Sequence, residues 1–304
     1  MLKKNLYPIT LILFCFFPFQ SLFPQTTECE ILSEAVPRLT LEASLGGTNN
    51  RSGLAFNPDA ELYYSVNAGS ASYPLDTYDD EGNILASPVQ AFDYRGAWWN
   101  PSANQLEGNG FSTLGIFVQT LVSGTSFPNG SGAVIFTANQ PASQSVGTLN
   151  FDDNEIIYYD NGFIHRYSRV DNGFLGQFAI TGLPVEFTDL NSNSVVYTGC
   201  EGKEIGLYDF VNRVVFFIDK VTGEFSGSSQ LPESAPQRSS FGMSYANDLF
   251  WLFDGGIWSS FEVLNEVIIT SSRDELNASI NLYPNPVQEF LQIDVTNQVP
   301  PVSV

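Results

Sequence analysis

Residues 55–66 read AFNPDAELYYSV: an aromatic residue, a short polar turn opened by Asn57-Pro58, and a strand that resumes with two adjacent bulky residues, Tyr63 and Tyr64. Four further stretches repeat that order. They are WWNPSANQLEGN at 98–109, NFDDNEIIYYDN at 150–161, YDFVNRVVFFID at 208–219 and SYANDLFWLFDG at 244–255. Four of the five resume with a bulky pair: Tyr63-Tyr64, Tyr158-Tyr159, Phe216-Phe217 and Trp251-Leu252. The anchors Phe56, Trp99, Phe151, Phe210 and Tyr245 stand 43, 52, 59 and 35 residues apart. Their mean falls in the range of roughly 40 to 50 residues that one four-stranded propeller blade occupies.

A single four-stranded sheet has two faces and cannot bury both alone, whereas sheets stacked around an axis bury each face on a neighbour. Turn signals lie between the hairpins, at Asn129-Gly130, Asp160-Asn161-Gly162, Asp171-Asn172-Gly173 and Asp254-Gly255-Gly256. No stretch keeps a helical period over three turns, and the apolar segment FSTLGIFVQTLVSG (111–124) is rich in β-branched residues and ends in Gly. The expected fold is all-β: a β-propeller of five or six blades over residues 26–270, with a β-sandwich as the competing architecture. The phrases GLAFNPDAELYYSV and LYDFVNRVVFFIDKVTGE resemble blade hairpins of NHL-type propellers, over residues from about 30 to 268.

Composition agrees with strands and narrows the function. The chain has 304 residues, 43% apolar and 14% aromatic, with 25 Gly, 17 Pro and 25 Phe, enough for a real core rich in turns. Lys and Arg total 12 against 33 Asp and Glu, a net charge of −21 that repels phosphate backbones, so nucleic acid is excluded as a partner.

The ends of the chain carry addresses. Lys3 and Lys4 precede the apolar run LILFCFFPF (11–19), the pattern of a secretory signal peptide over residues 1–25, cleaved between Ser21 and Gln25. The run is shorter than the roughly 20 residues a membrane span needs, so no transmembrane anchor is expected after cleavage. Cleavage also removes Cys15, leaving Cys29 and Cys200 either as one disulfide or as two free thiols.

At the other end a polar linker (271–278) leads to SINLYPNPVQEFLQIDV. Leu282, Tyr283, Pro284, Asn285, Pro286 and Val287, followed by Leu291 and Ile293 in alternation, resemble the opening of the C-terminal sorting domain of type IX secretion cargo. That resemblance implies a Bacteroidetes-type bacterial source and a small β-sandwich recognised by the type IX secretion machinery. It also implies a protein that is secreted or held at the cell surface after passing through the periplasm. Residues 279–304 supply a truncated version, since the family's domain has further strands and usually ends in basic residues.

Chemistry is harder to find. His165, the lone histidine, lies in an alternating strand beside Arg166 and Arg169. No G-x-S-x-G elbow and no phosphate-binding loop followed by Lys occurs. Asp93, Asp152, Asp153, Glu155, Asp209, Asp219 and Asp254 could supply a carboxylate pair for polysaccharide hydrolysis if two or three met at a propeller axis. Asp76, Asp79 and Asp80 offer hard oxygens for calcium, although Gly82 is misplaced for an EF-hand loop. Trp98, Trp99, Trp251 and Trp258 could stack on sugars. Two functions are therefore in view: a non-enzymatic binding or scaffold protein for a glycan or another surface protein, and a secreted polysaccharide-active hydrolase.

Overall fold

The computed structural model describes residues 26–44, 50–137, 139–269, 281–283 and 292–294. The signal segment, the linker, and the motif residues Pro284, Asn285, Pro286, Val287 and Leu291 lie outside them. The chain separates into a large unit, Glu28–Val267, and a second unit made of both termini.

The large unit is all-β and propeller-like, built from four-stranded antiparallel meanders. The first holds β2 (Arg51–Asn57), β3 (Leu62–Asn67), β4 (Asp76–Tyr78) and β5 (Ile84–Ala86), with β1 (Thr26–Glu42) preceding it. The second holds β6 (Tyr94–Asn100), β7 (Gln105–Gly110), β8 (Ile116–Leu121) and β9 (Pro128–Phe136). The third holds β10 (Thr148–Asn150), β11 (Glu155–Asp160), β12 (Phe163–Ser168) and β13 (Phe174–Ala179). The fourth holds β14 (Val196–Tyr197), β15 (Ile205–Asp209), β16 (Val214–Ile218) and β17 (Phe225–Gln230). The fifth uses β18 (Met243–Ala246), β19 (Leu249–Asp254) and β20 (Ile257–Ile269), and β1 joins β20 as its fourth strand.

The repeated pair of bulky residues explains this ring. Adjacent residues on a strand point to opposite faces, so each pair serves two cores at once. Tyr63 packs with Trp251, Phe253 and Trp258 of the fifth unit, whereas Tyr64 packs with Tyr94, Leu106 and Phe117 of the second. Tyr158 faces Trp98 and Ile116 of the second unit, and Tyr159 faces Leu207, Phe216 and Ile218 of the fourth. Phe217 and Leu252 meet in the core between the fourth and fifth units. Each of the five junctions thus has its own apolar core, and the fifth closes back on the first.

The turn of the repeat has a common physical basis. The side-chain oxygen of Asn57 accepts the N–H groups of Asp59 and Ala60, and Asn100 and Asp209 do the same two and three residues on. Four residues after the Asx position the chain takes a left-handed conformation: Glu61 at φ 54°, Asn104 at 53°, Asn154 at 55° and Arg213 at 59°. In the fifth copy the turn shortens to Asn247-Asp248, both with positive φ, which is a two-residue hairpin of the primed type.

Two sequence expectations are refined. Against an expected five or six blades, the large unit holds three separate four-stranded sheets and one eight-stranded sheet, in which β1 joins the fourth meander to the fifth. The fourth copy of the repeat, 208–219, is the β15–β16 hairpin, one strand later than the β2–β3, β6–β7, β10–β11 and β18–β19 hairpins that the others form. Its true first strand is the two-residue β14. Taking Tyr197 as the anchor places it 46 residues after Phe151 and 48 before Tyr245, which removes most of the unevenness.

Closure depends on β1. Near its start it lies parallel to β17, with Glu34 opposite Gln230, and further on it runs along β20. There the Ser260 hydroxyl donates to the Leu39 carbonyl and receives the Leu39 N–H, each at 2.8 Å, while Arg38 pairs with Glu262. Cys29 and Cys200 are joined by a disulfide with their Cα atoms 5.8 Å apart, pinning the start of β1 to the β14–β15 turn.

In the second unit, β21 (Asn281–Tyr283) pairs antiparallel with β22 (Gln292–Asp294), with Leu282 opposite Ile293.

Candidate functional site

The first strands of the five units line an axial channel of about 180 Å3. Its two ends differ. Where the strands begin they crowd together: a Cβ added to Gly96 would lie 2.2 Å from the Gly147 carbonyl oxygen, and one on Gly53 would lie 2.8 Å from the Ala97 nitrogen. Only glycine permits that approach. Where the strands finish, every unit contributes an aromatic residue to the lining, Phe56, Trp99, Phe151, Tyr197 and Tyr245, and the second unit adds the buried Trp98. Phe151 is 47% exposed, and Phe56, Trp99 and Tyr245 are half-buried. Trp99 stacks against Tyr64 at 6.0 Å, and Phe151 stands edge-on to Tyr197 at 5.2 Å. These rings give flat apolar faces beside the polar Thr198, Asn247 and Asp248.

The carboxylates expected at an axis are elsewhere. Among the described residues Asp248 is the one acid lining the channel. Asp93 pairs with Arg95, Asp209 and Asp219 organise their own turns, and Asp254 is an exposed partner of Arg238. Two acids, Asp153 and Glu155, line a lateral cleft of about 460 Å3 between the third and fourth units, and Asp152 joins them through Lys220. There Lys220 Nζ donates to Asp153 at 2.9 Å, to Asp152 at 3.3 Å and to the Tyr197 hydroxyl at 3.1 Å. Glu155, almost wholly buried, is held by Arg166.

The electrostatics of this cleft are those of a satisfied network. Hydrogen bonds from Lys220 and Asn150 hold the Asp153 carboxyl below its usual range. Burial alone would lower Lys220, but its two aspartates outweigh it and raise its pKa, so the amine stays charged and is not nucleophilic. Burial and then the hydrogen bond to Asp152 push Tyr197 upward. His165, on β12, lies beside the Phe174 ring at 6.3 Å; burial depresses it, opposed by Asp160.

The weak calcium candidates do not form a cluster. Asp76 is fully buried and its oxygens are taken by the Arg51 guanidinium, by Ser44 through N–H at 2.9 Å and Oγ at 2.5 Å, and by the Tyr78 hydroxyl at 3.2 Å. Asp79 spends its oxygens on Glu81 and Asn83 in its own turn, and Asp80 is exposed. No group of three or more His, Cys, Asp or Glu that could hold a metal occurs among the described residues. Of the four tryptophans, Trp251 and Trp258 are core residues, Trp98 is buried with an edge on the channel, and Trp99 is the more accessible of the two that line it.

Comparison with known proteins adds little. No family model and no curated protein matches the chain. Among solved structures, the glutaminyl cyclase of Myxococcus xanthus superposes with a TM-score of 0.49 at 12% identity, covering 81% of this chain and 100% of that one. A mitotic checkpoint complex chain superposes at 0.35 and 13% identity, covering 68% and 61%.

Proposed function

We propose that the chain is an exported five-bladed propeller that binds a glycan at the aromatic end of its axial channel, acting as a secreted or cell-surface binding and scaffold protein. The observation that carries this reading is the gathering of aromatic residues from all five units at the end of the channel where Trp99 and Phe151 remain accessible. Flat aromatic faces edged by polar groups suit the apolar faces and hydroxyl rims of sugar rings. The distribution of carboxylates supports a binding role over hydrolysis. Glycosidases need two acids about 5 to 10 Å apart across a substrate, and the acids gathered at Lys220 are committed to ion pairs beside the channel, not in it. Delivery rests on the sequence alone: the Lys3-Lys4 leader and the resemblance of 282–293 to a type IX sorting motif.

The test is to pass the purified chain over immobilised plant, algal and bacterial polysaccharides while assaying released oligosaccharides. Retention without release supports the proposal. Released products overturn it in favour of a hydrolase, and neither retention nor release favours a protein partner.

A further inference from the structure

We infer that a second site, at the glycine end of the channel, binds the carboxylate of an acidic sugar. Three of the chain's 12 cationic side chains converge there: Arg51, Arg95 and Arg238 line one cavity of about 250 Å3 together with Asn50, Gln144 and Phe241. Each is paired with one carboxylate, Asp76, Asp93 or Asp254, so the attraction for a further anion rests on the donors that those pairs leave over.

The guanidinium groups are held but not exhausted. Arg51 is fully buried and bonds Asp76, Ser65 O and Pro74 O, yet its Nε has no hydrogen-bond partner. Arg95 is 5% exposed; its Nε donates to Gln144 Oε1 at 2.6 Å and its Nη1 to Asp93 at 2.5 Å and Tyr94 O at 2.8 Å, bonds that leave Nη2 unused. The Arg238 Nε is likewise buried and unpartnered, and its Nη1 reaches the exposed Asp254 only at 3.4 Å. Buried donors without acceptors are uncommon because each forgoes its solvation, and two of the three arginines that line the cavity carry one.

The surrounding groups set the size and class of the ligand. Arg95 is sandwiched near the Phe111 ring at 4.9 Å and the Phe241 ring at 5.9 Å, which fixes its plane. Phe241 has φ 52°, a left-handed conformation that is strained for a bulky residue, and Asn191 Nδ2 holds the loop by donating to both Arg238 O and Phe241 O at 3.1 Å. A fixed guanidinium fork matches a planar carboxylate in bidentate fashion. Phe241 offers an apolar face, and the free halves of the Asn50 and Gln144 amides can meet hydroxyls. A cavity of 250 Å3 accommodates about one sugar ring, which together with the carboxylate preference describes a uronic acid residue. This site stands on its own residues, independently of the aromatic end.

The probes are D-glucuronate, D-galacturonate, their methyl esters, the parent neutral sugars and inorganic sulfate, titrated into the full chain and read by saturation-transfer NMR and calorimetry. The free uronates should bind in a salt-sensitive manner, and Arg238→Gln and Arg95→Gln should each weaken them tenfold or more with circular dichroism unchanged. Trp99→Ala, at the other end of the channel, should leave uronate binding intact. Equal binding of the methyl esters or neutral sugars, no binding of either uronate, binding of sulfate alone, or indifference to both arginine substitutions would each overturn the inference.

Discussion

The buried carboxylate of Glu107, on β7 of the second unit, is gripped by Arg169 of the third: Nε donates at 2.7 Å to Oε2 and Nη2 reaches Oε1. Glu107 stands where the other four copies of the repeat place the second of two bulky apolar residues. Its acceptor capacity is filled further by Trp98 Nε1 at 3.0 Å and Asn100 Nδ2 at 2.9 Å. One junction of the ring therefore has an ion pair set into its apolar contact.

Removing one side of that pair leaves Arg169, Trp98 and Asn100 without their acceptor in a site closed to water. Glu107→Ala should destabilise the fold by about 3–5 kcal/mol. Urea denaturation checks this. Glu107→Leu paired with Arg169→Met should recover most of the loss, because well-packed apolar residues replace buried ion pairs at little cost.

Crowding of the inner strands gives a sharper steric prediction. Gly96→Ala would set a methyl 2.2 Å from the Gly147 carbonyl oxygen and 2.8 Å from Asn109 Oδ1. Gly147 O is backbone and Asn109 Oδ1 is held by the Gly96 and Gly147 N–H groups, so the backbone must move. The expected loss is about 3 kcal/mol or more, against about 1–2 kcal/mol for alanine at Gly124, where nothing lies within 4 Å and only the φ of 74° strains a Cβ.

The disulfide constrains a long loop, its cysteines 171 residues apart. Cys29→Ser with Cys200→Ser should cost about 2–5 kcal/mol, read as a lower thermal midpoint equal to that of the reduced wild-type chain.

Asp153 makes stability depend on pH. Its folded pKa lies below the ordinary 3.8, so its contribution is present above that value and disappears as pH falls through the lowered folded one. Asp153→Asn should flatten the acid limb of the stability profile below about pH 4, while leaving the profile near neutrality parallel to wild type. Lys220→Met should flatten the same limb, since the lowering comes first from Lys220.

At the aromatic end, Trp99→Ala should lower polysaccharide retention about tenfold, since stacking of this kind is worth roughly 0.5–1.5 kcal/mol per ring contact. Phe56→Ala should have a smaller effect, because its ring already leans on Tyr63 at 4.6 Å.

How much of this was legible in the sequence depended on whether the signal was local. Paired aromatics such as Tyr63-Tyr64 carry the logic of a sheet buried on both faces, and that pattern alone led to the ring. The fourth copy was misplaced because β14 spans only Val196–Tyr197, too short for an alternation to show, while the β15–β16 hairpin mimics the repeat. The role of β1 was hidden because its pairing partner lies more than 200 residues away, and SEAVPRLTLE (33–42) has no distinctive pattern. Asp76 reads as a calcium candidate because nothing in the sequence ties it to Arg51, which takes its charge from another strand. Arg51, Arg95 and Arg238 share no motif at all; only the ring brings them to one cavity.

A final consequence follows from β1 completing the fifth unit. A chain that emerges amino terminus first presents this strand at the outset, yet β20 and the cysteine at position 200 appear only near the end of the described fold. The first four units can form their meanders in turn as they appear, each from near neighbours in sequence. The ring itself cannot lock until the last strand has been delivered, so a chain halted anywhere before Ile257 is an open arc with two uncovered faces. Such an arc remains a ready client for chaperones and a ready substrate for proteases, and the finished circle is neither.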